Sequence, residues 1–131
     1  MKILTRWFAE VWNQGNEAAI DEMLSPDAII HNLLDGNGDE ISGIAEFKVM
    51  FRAFRSALSD LNVIVEDELT VGDKSAARCV IHAVHTGNGL PRTPLQRQIH
   101  FTGMCMVRVK DGKIVESWNH FDFETMYQQM E

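Results

Sequence analysis

One helix constrains what this chain can fold into. Ile44, Phe47, Phe51, Phe54 and Leu58 recur at intervals of three and four, while Lys48, Arg52 and Arg55 fall on the other side. That spacing predicts an amphipathic helix over about 44–58 with one strongly apolar face. Such a helix needs a broad apolar surface to lie on, and the remainder of the chain offers one as strands. Leu61–Val65 begins a strand, and Gly72-Asp73 turns it into Ala76–Val84. A loop of about a dozen residues from Thr86 to Arg97 carries Gly87, Gly89, Pro91 and Pro94. A long strand follows over 99–109, then Asp111-Gly112, the dipeptide favoured by a two-residue hairpin turn, and a last strand over 114–121. A short helix over 123–130 closes the chain.

Ahead of the long helix, residues 3–13 place Leu4, Trp7, Phe8, Val11 and Trp12 as an apolar stripe. Trp7 and Trp12 lie five apart, roughly 140° around an α-helix. One is therefore expected in the core and the other at a pocket border or an edge. Gly15 ends this helix. Asn16 suits the N-cap of a second, short helix carrying Ile20, Met23 and Leu24, which Ser25-Pro26 stops. Ala28–Leu33 reads as a short strand, and Asp35–Glu40 as an exposed, mobile loop rich in glycine and acids. Helices gathered first and strands last predict an α+β fold with helices on one face of a curved sheet. A sheet curled around a long helix leaves a cone, and its mouth is a natural small-molecule pocket.

With 131 residues the chain suits one domain, 1–131, and no interdomain linker interrupts it. Its net charge of −7 argues against a nucleic-acid partner, which needs a basic footprint. No apolar run approaches the ~20 residues that span a bilayer, and Arg6 and Glu10 break up the start where a signal peptide has its apolar centre. Cys79 and Cys105 sit in apolar stretches without metal-ligand spacing. A cytoplasmic protein with buried, reduced thiols is the expectation. Phosphate-cradling glycine loops and nucleophile motifs are missing, so the expected chemistry uses no cofactor and no metal.

The histidines His31, His82, His85, His100 and His120 fall on or beside strands. His82 and His85, three apart, point to opposite faces. On the last strand Glu116, Trp118, His120 and Asp122 alternate with Ser117, Asn119 and Phe121, so the first four share a face. That face reads as a pocket wall. Asp122 has two readings: a desolvated general acid or base among aromatics, or the N-cap of the terminal helix. Arg78 interrupts an apolar strand and either pairs with Glu116 or another acid across the sheet, or holds a substrate oxygen. Met104, Met106 and Arg108 share one face of their strand, which suits an adaptable contact surface.

Several stretches together resemble a known family. They are Trp12-Asn13-Gln14-Gly15-Asn16, Pro26-Asp27-Ala28 before His31, Ser42-Gly43-Ile44, Asp60-Leu61, Gly72-Asp73-Lys74, Ala77-Arg78, His85-Thr86-Gly87, Val107 through Trp118, and the tail from Asp122 through Tyr127-Gln128-Gln129-Met130. In this order they resemble the SnoaL-like polyketide cyclases of the NTF2-like superfamily. The resemblance implies the cone fold and a cofactor-independent enzyme that closes a ring by intramolecular aldol condensation. It implies Asp122 as acid/base; beside it, His120 is the catalytic candidate to assist, with His100 the alternative for assisting or binding an oxygen. His31, Trp12, Arg78, His82, His100 and Trp118 are the substrate-binding candidates. It further implies a small hydrophobic carbonyl-containing substrate and a homodimer through the outer face of the sheet. The sequence departs from the family in the loop before the fourth strand. A Pro-Thr-Gly turn followed by a basic residue is usual there, whereas Pro91-Arg92-Thr93-Pro94-Leu95-Gln96-Arg97 has no glycine. Ketosteroid isomerase shares the cone, but its tyrosine falls at Phe8, its base at Asn32 and its second acid near Met104 or Cys105, so that chemistry is missing. The rival to an enzyme is a non-catalytic cone that binds a hydrophobic ligand. It expects a pocket without carboxylate or histidine, and Asp122 turned to the terminal helix.

Overall fold

The computed structural model describes residues 1–33 and 38–131. Helix α1 (Ile3–Trp7) runs directly into a π-helical segment, Phe8–Asn13, and is followed by α2 (Glu17–Met23). Strand β1 (Leu24–His31), the short β2 (Glu40–Ser42) and the long α3 (Gly43–Ala57) come next. Then follow β3 (Leu58–Val71), β4 (Lys74–His85), β5 (Arg97–Lys110), β6 (Lys113–Phe121) and α4 (Phe123–Gln129). The strands form one six-stranded sheet in the order β2-β1-β6-β5-β4-β3. Only β1 and β6 pair in parallel; the other neighbours are antiparallel. This is the expected α+β architecture, with α3 and the N-terminal helices on the sheet's inner face.

Parity decides what that inner face carries. On β4, Ser75, Ala77, Cys79, Ile81, Ala83 and His85 are buried, and Lys74, Arg78 and His82 between them are exposed. On β5, Ile99, Phe101, Cys105 and Val107 are buried, while His100, Thr102, Met104 and Met106 face out. The inner side chains meet Phe47, Met50, Phe51 and Phe54 of α3, which the 3.6-residue period had placed on one face.

The π-helical segment corrects the reading of Trp7 and Trp12. Both are buried, and both rings pack against Phe47, at centroid distances of 5.4 and 6.1 Å. The Gln14 N–H donates to the carbonyl of Ala9, five residues back. Hydrogen bonds of that span close a wider turn, so residues five apart return to one side. The 140° separation of an α-helix does not apply.

A bulge in β3 has a comparable effect. Register shifts between Val65 and Asp67, which turns Glu68 inward. Glu68 follows two acids, Glu66 and Asp67, that are exposed, yet it is 6% exposed itself. Its carboxylate accepts from the N–H groups of Leu4 (2.9 Å) and Thr5 (2.7 Å) and from the Thr5 hydroxyl (2.7 Å). Lys2, at the N-cap of α1, makes no side-chain cap, so a strand 64 residues away caps the helix. Asn13 ties the π-helical segment to β3 in a similar way: its amide donates to the Val63 carbonyl (3.0 Å) and accepts from the Val63 N–H (2.7 Å). Arg55, expected on the wet side of α3, is half-buried and donates to the Trp12 carbonyl at 2.8 Å.

Turn and cap chemistry follows the sequence closely. Asp111 and Gly112 both have positive φ (52° and 77°), as a two-residue type I′ hairpin requires. Asn16 caps α2 through Ala18 N–H. Gln96, directly before the basic Arg97, has φ 59°. This is the left-handed conformation that glycine adopts without strain. Of the loop expected at Asp35–Glu40, Asp35, Gly36 and Asn37 lie outside the described residues. Glu40 begins β2, and Asp39 accepts the N–H groups of Asn32 (2.8 Å) and Leu33 (3.0 Å). Among the described residues no helix is long and apolar enough to cross a membrane.

Candidate functional site

Between α1, α3 and the inner face of the sheet lies a cavity of about 80 Å³. Trp7, Phe8 and Trp12 line it from the N-terminal helical segment, Phe47 and Phe54 from α3, and Ile81, Phe101 and Phe121 from the sheet. Nearly all of the wall is apolar. Apart from the indole N–H groups of Trp7 and Trp12, its polar side chains are Ser117 and Asn119 of β6 and the thiol of Cys105. None of the lining residues is a histidine or a carboxylate.

The β6 strand explains this. The pairing of β5 with β6 shifts between Arg108 and Val109, where Val115 is the extra residue. Ile114, Ser117 and Asn119 are all buried on the inner face despite the three-residue step. Glu116, Trp118, His120 and Asp122 do share a face, as alternation predicted, but it is the outer one. The pocket wall is formed by the intervening residues. Charge was the available signal: Glu116, His120 and Asp122 carry or can acquire charge, whereas Ser117 and Asn119 cannot, and the neutral set is the cheaper one to bury.

Asn119 is 5% exposed and its amide nitrogen donates twice, to the His31 carbonyl (3.0 Å) and to Ser117 Oγ (3.0 Å). Because a carbonyl must receive a donor, these bonds fix which end of the amide points where. The Cys105 thiol lies against Cys79, and this contact, with burial, pushes it well above the ordinary cysteine value. It is a neutral S–H. The cavity wall therefore holds no ionised group.

The remaining candidates lie elsewhere. Asp122 caps α4: Oδ1 accepts from Thr125 N–H (3.0 Å) and Oδ2 from the Thr125 hydroxyl (2.6 Å). Those bonds hold its carboxyl below the ordinary aspartate value. His120 is exposed on the outer face. Arg78 pairs with Glu66 and Asp67, both at 2.6 Å, rather than with Glu116. Arg78, His120 and Asp122 border one open depression on that face, together with Glu66, Thr102 and Met104. His31 stacks on Trp118 at 5.7 Å, and its Nε2 lies 2.8 Å from Glu116 Oε2. That contact, assisted by Arg108, lowers the Glu116 carboxyl. His82 and His100 are direct cross-strand partners and stack at 4.7 Å, both exposed. Of the eight predicted site residues only Trp12 lines this cavity. His85, opposite in parity to His82, is fully buried, and neither ring nitrogen has a hydrogen-bond partner among the described residues.

Comparison with known proteins supplies the family. The profile of the SnoaL-like polyketide cyclases matches residues 2–130. The chain belongs to the SnoaL-like polyketide cyclase family. No curated protein matches. Among solved structures it is similar to wild-type IdmH from Streptomyces antibioticus, a candidate polyketide cyclase, at 31% identity and a TM-score of 0.77. That match covers 95% of this chain and 94% of the other. A candidate polyketide cyclase from Bacillus cereus is 29% identical, with a TM-score of 0.79 and coverage of 98% and 77%. A protein of ketosteroid isomerase-like fold from Catenulispora acidiphila, bound to trimethylamine, is 15% identical with a TM-score of 0.78, over 98% and 92% of the two chains. The last likeness concerns the fold alone. This SnoaL-like chain thus has the cone that its sequence resembles, with an inner wall different from the one alternation assigned.

Proposed function

We propose that this SnoaL-like protein encloses a compact, largely apolar, oxygen-bearing molecule in its cone, orienting it and shielding it from water. The observation that carries this is the wall itself: apolar and aromatic almost throughout, with Ser117 and Asn119 as neutral polar points. Size narrows the ligand. At roughly 10–15 Å³ for each water-sized site, 80 Å³ has room for a single-ring molecule. It is well short of the roughly 300–1,000 Å³ typical of drug-sized ligands. A polycyclic substrate exceeds this volume. Binding is tested by titrating toluene and following emission from Trp7 and Trp12, with calorimetry alongside. Saturable binding is expected; its absence refutes the proposal.

A second reading, an aldol-type cyclase or related isomerase acting on a carbonyl substrate without cofactor, is favoured by the family match and by the gathering of Arg78, His120 and Asp122 around one depression. On this reading Asp122 takes the proton next to the carbonyl and His120 assists. Two features weigh against it. Asp122 is a weakened base, because Thr125 stabilises its ionised form, and Arg78 is already engaged by two carboxylates. The D122N variant decides it once a turned-over substrate is in hand: retained turnover with an intact fold removes Asp122 from the acid/base role. The outer sheet face is proposed to seat a second copy of the chain. Leu69, Ala76, Met106 and Trp118 form a continuous cross-strand row there, with Leu69 72% and Met106 39% exposed.

A further inference from the structure

The polar pair in the cavity has a defined hydrogen-bonding capacity. Ser117 and Asn119 stand two residues apart on one face of β6, roughly 7 Å along the strand, yet their tips touch at 3.0 Å. Both bonds that the Asn119 amide makes come from its nitrogen, which leaves Oδ1 as an acceptor with no protein donor among the described residues. Ser117 Oγ spends its acceptor side on Asn119. Its hydroxyl hydrogen has no protein acceptor among the described residues. Both residues are buried and both line the cavity, and Asn119 also borders the depression on the outer face. Two adjacent lining residues thus keep one unspent donor and one unspent acceptor, in a wall that is otherwise almost entirely apolar. A polar group left unmatched in such a place is costly, so a ligand that matches both is favoured over one that matches neither.

We propose that Ser117 and Asn119 form a hydroxyl-recognition subsite: a neutral, compact alcohol accepts from the Ser117 hydroxyl and donates to Asn119 Oδ1. A hydroxyl is the smallest group that satisfies both partners at once. A ketone satisfies Ser117 alone, and a hydrocarbon satisfies neither. A carboxylate is disfavoured, because no cation lines the cavity to offset its desolvation. The protonated Cys105 thiol adds no charge to this balance. The subsite rests on the apolar-cone reading above and sharpens it by naming the functional group.

The test uses three single-ring probes of similar size: toluene, cyclohexanone and cyclohexanol. Each is titrated into the wild-type protein and into the Ser117→Ala and Ser117→Thr variants. Asn119 is left in place, since its bond to the His31 carbonyl braces β6 against β1. In the wild type cyclohexanol is expected to bind more tightly than cyclohexanone. S117A is expected to weaken cyclohexanol roughly three- to tenfold, the size of one net hydrogen bond, and to leave toluene within about twofold. S117T keeps the hydroxyl and is expected to keep the preference. Equal losses for toluene and cyclohexanol in S117A, or an unchanged affinity for cyclohexanol, overturn the subsite, as does tighter binding of the ketone in the wild type. If toluene binds and only these differences fail, the cone reading stands and the subsite alone is refuted. If none of the probes binds, both are refuted.

Discussion

Glu68 carries more of the fold than its sequence neighbourhood suggests. Its carboxylate receives three donors from the first turn of α1, two of them backbone N–H groups that no other side chain caps. Removing it leaves those groups unmet in a buried position. The E68A variant is expected to lose about 2–4 kcal/mol in denaturant unfolding. A loss below about 1 kcal/mol shows that water replaces the carboxylate. Asp122 answers to pH. Its folded value lies below the ordinary one, through the Thr125 hydroxyl first and the Thr125 N–H second. The cap therefore contributes above the unfolded aspartate value of about 3.9, and that contribution is lost as pH falls through the lower, folded value. D122N is expected to be less stable than the wild type near neutral pH and to show a shallower acid dependence. Parallel urea titrations below and above pH 4 measure the difference. At Gln96 the left-handed backbone costs roughly 1–2 kcal/mol for a residue with a side chain. Q96G exchanges that strain for the larger unfolded-state freedom of glycine. A small net gain, up to about 1 kcal/mol, is expected by thermal unfolding.

At the scale of elements, two irregularities decide which residues meet the ligand. The π-helical turns bring Trp7 and Trp12 onto the same phenyl ring of Phe47, and the bulge at Val115 sets Ser117 and Asn119 inside. Neither is legible in a hydrophobic pattern read at a fixed period. An added residue in a strand or a widened helical turn reverses parity without changing composition. Regular elements were legible: α3, the β4 and β5 strands and the Asp111-Gly112 hairpin lie within a few residues of their expected bounds. Gly103 marks how tightly β5 and β6 fit. A Cβ there meets the Phe121 ring at 2.2 Å and the Phe121 Cα at 2.8 Å. The backbone contact cannot rotate away. G103A is expected to cost about 1–3 kcal/mol and to disturb the cavity, because Phe121 lines it. Chemical denaturation and toluene binding, measured together, check both consequences.

For the whole molecule, the sheet has an inner face that is filled by helices and an outer face that is not. Leu69, Val71, Ile64, Met104 and Met106 all stand exposed on β3 and β5. If a second copy covers them, light scattering gives a dimer for the wild type and a monomer for M106E, with toluene binding retained. A monomeric wild type at high concentration refutes the dimer. The fold class, the family and the helix that the sheet must cover were determined by sequence alone, because apolar spacing and turn residues act locally and leave a readable period. The inner wall was decided only by tertiary structure. Whether Asp122 or Asn119 faces the cone depends on one bulge, and whether Glu68 is solvated or caps α1 depends on another. Which partners a buried polar group finds is a property of strands that are distant in sequence, and local pattern has no access to them.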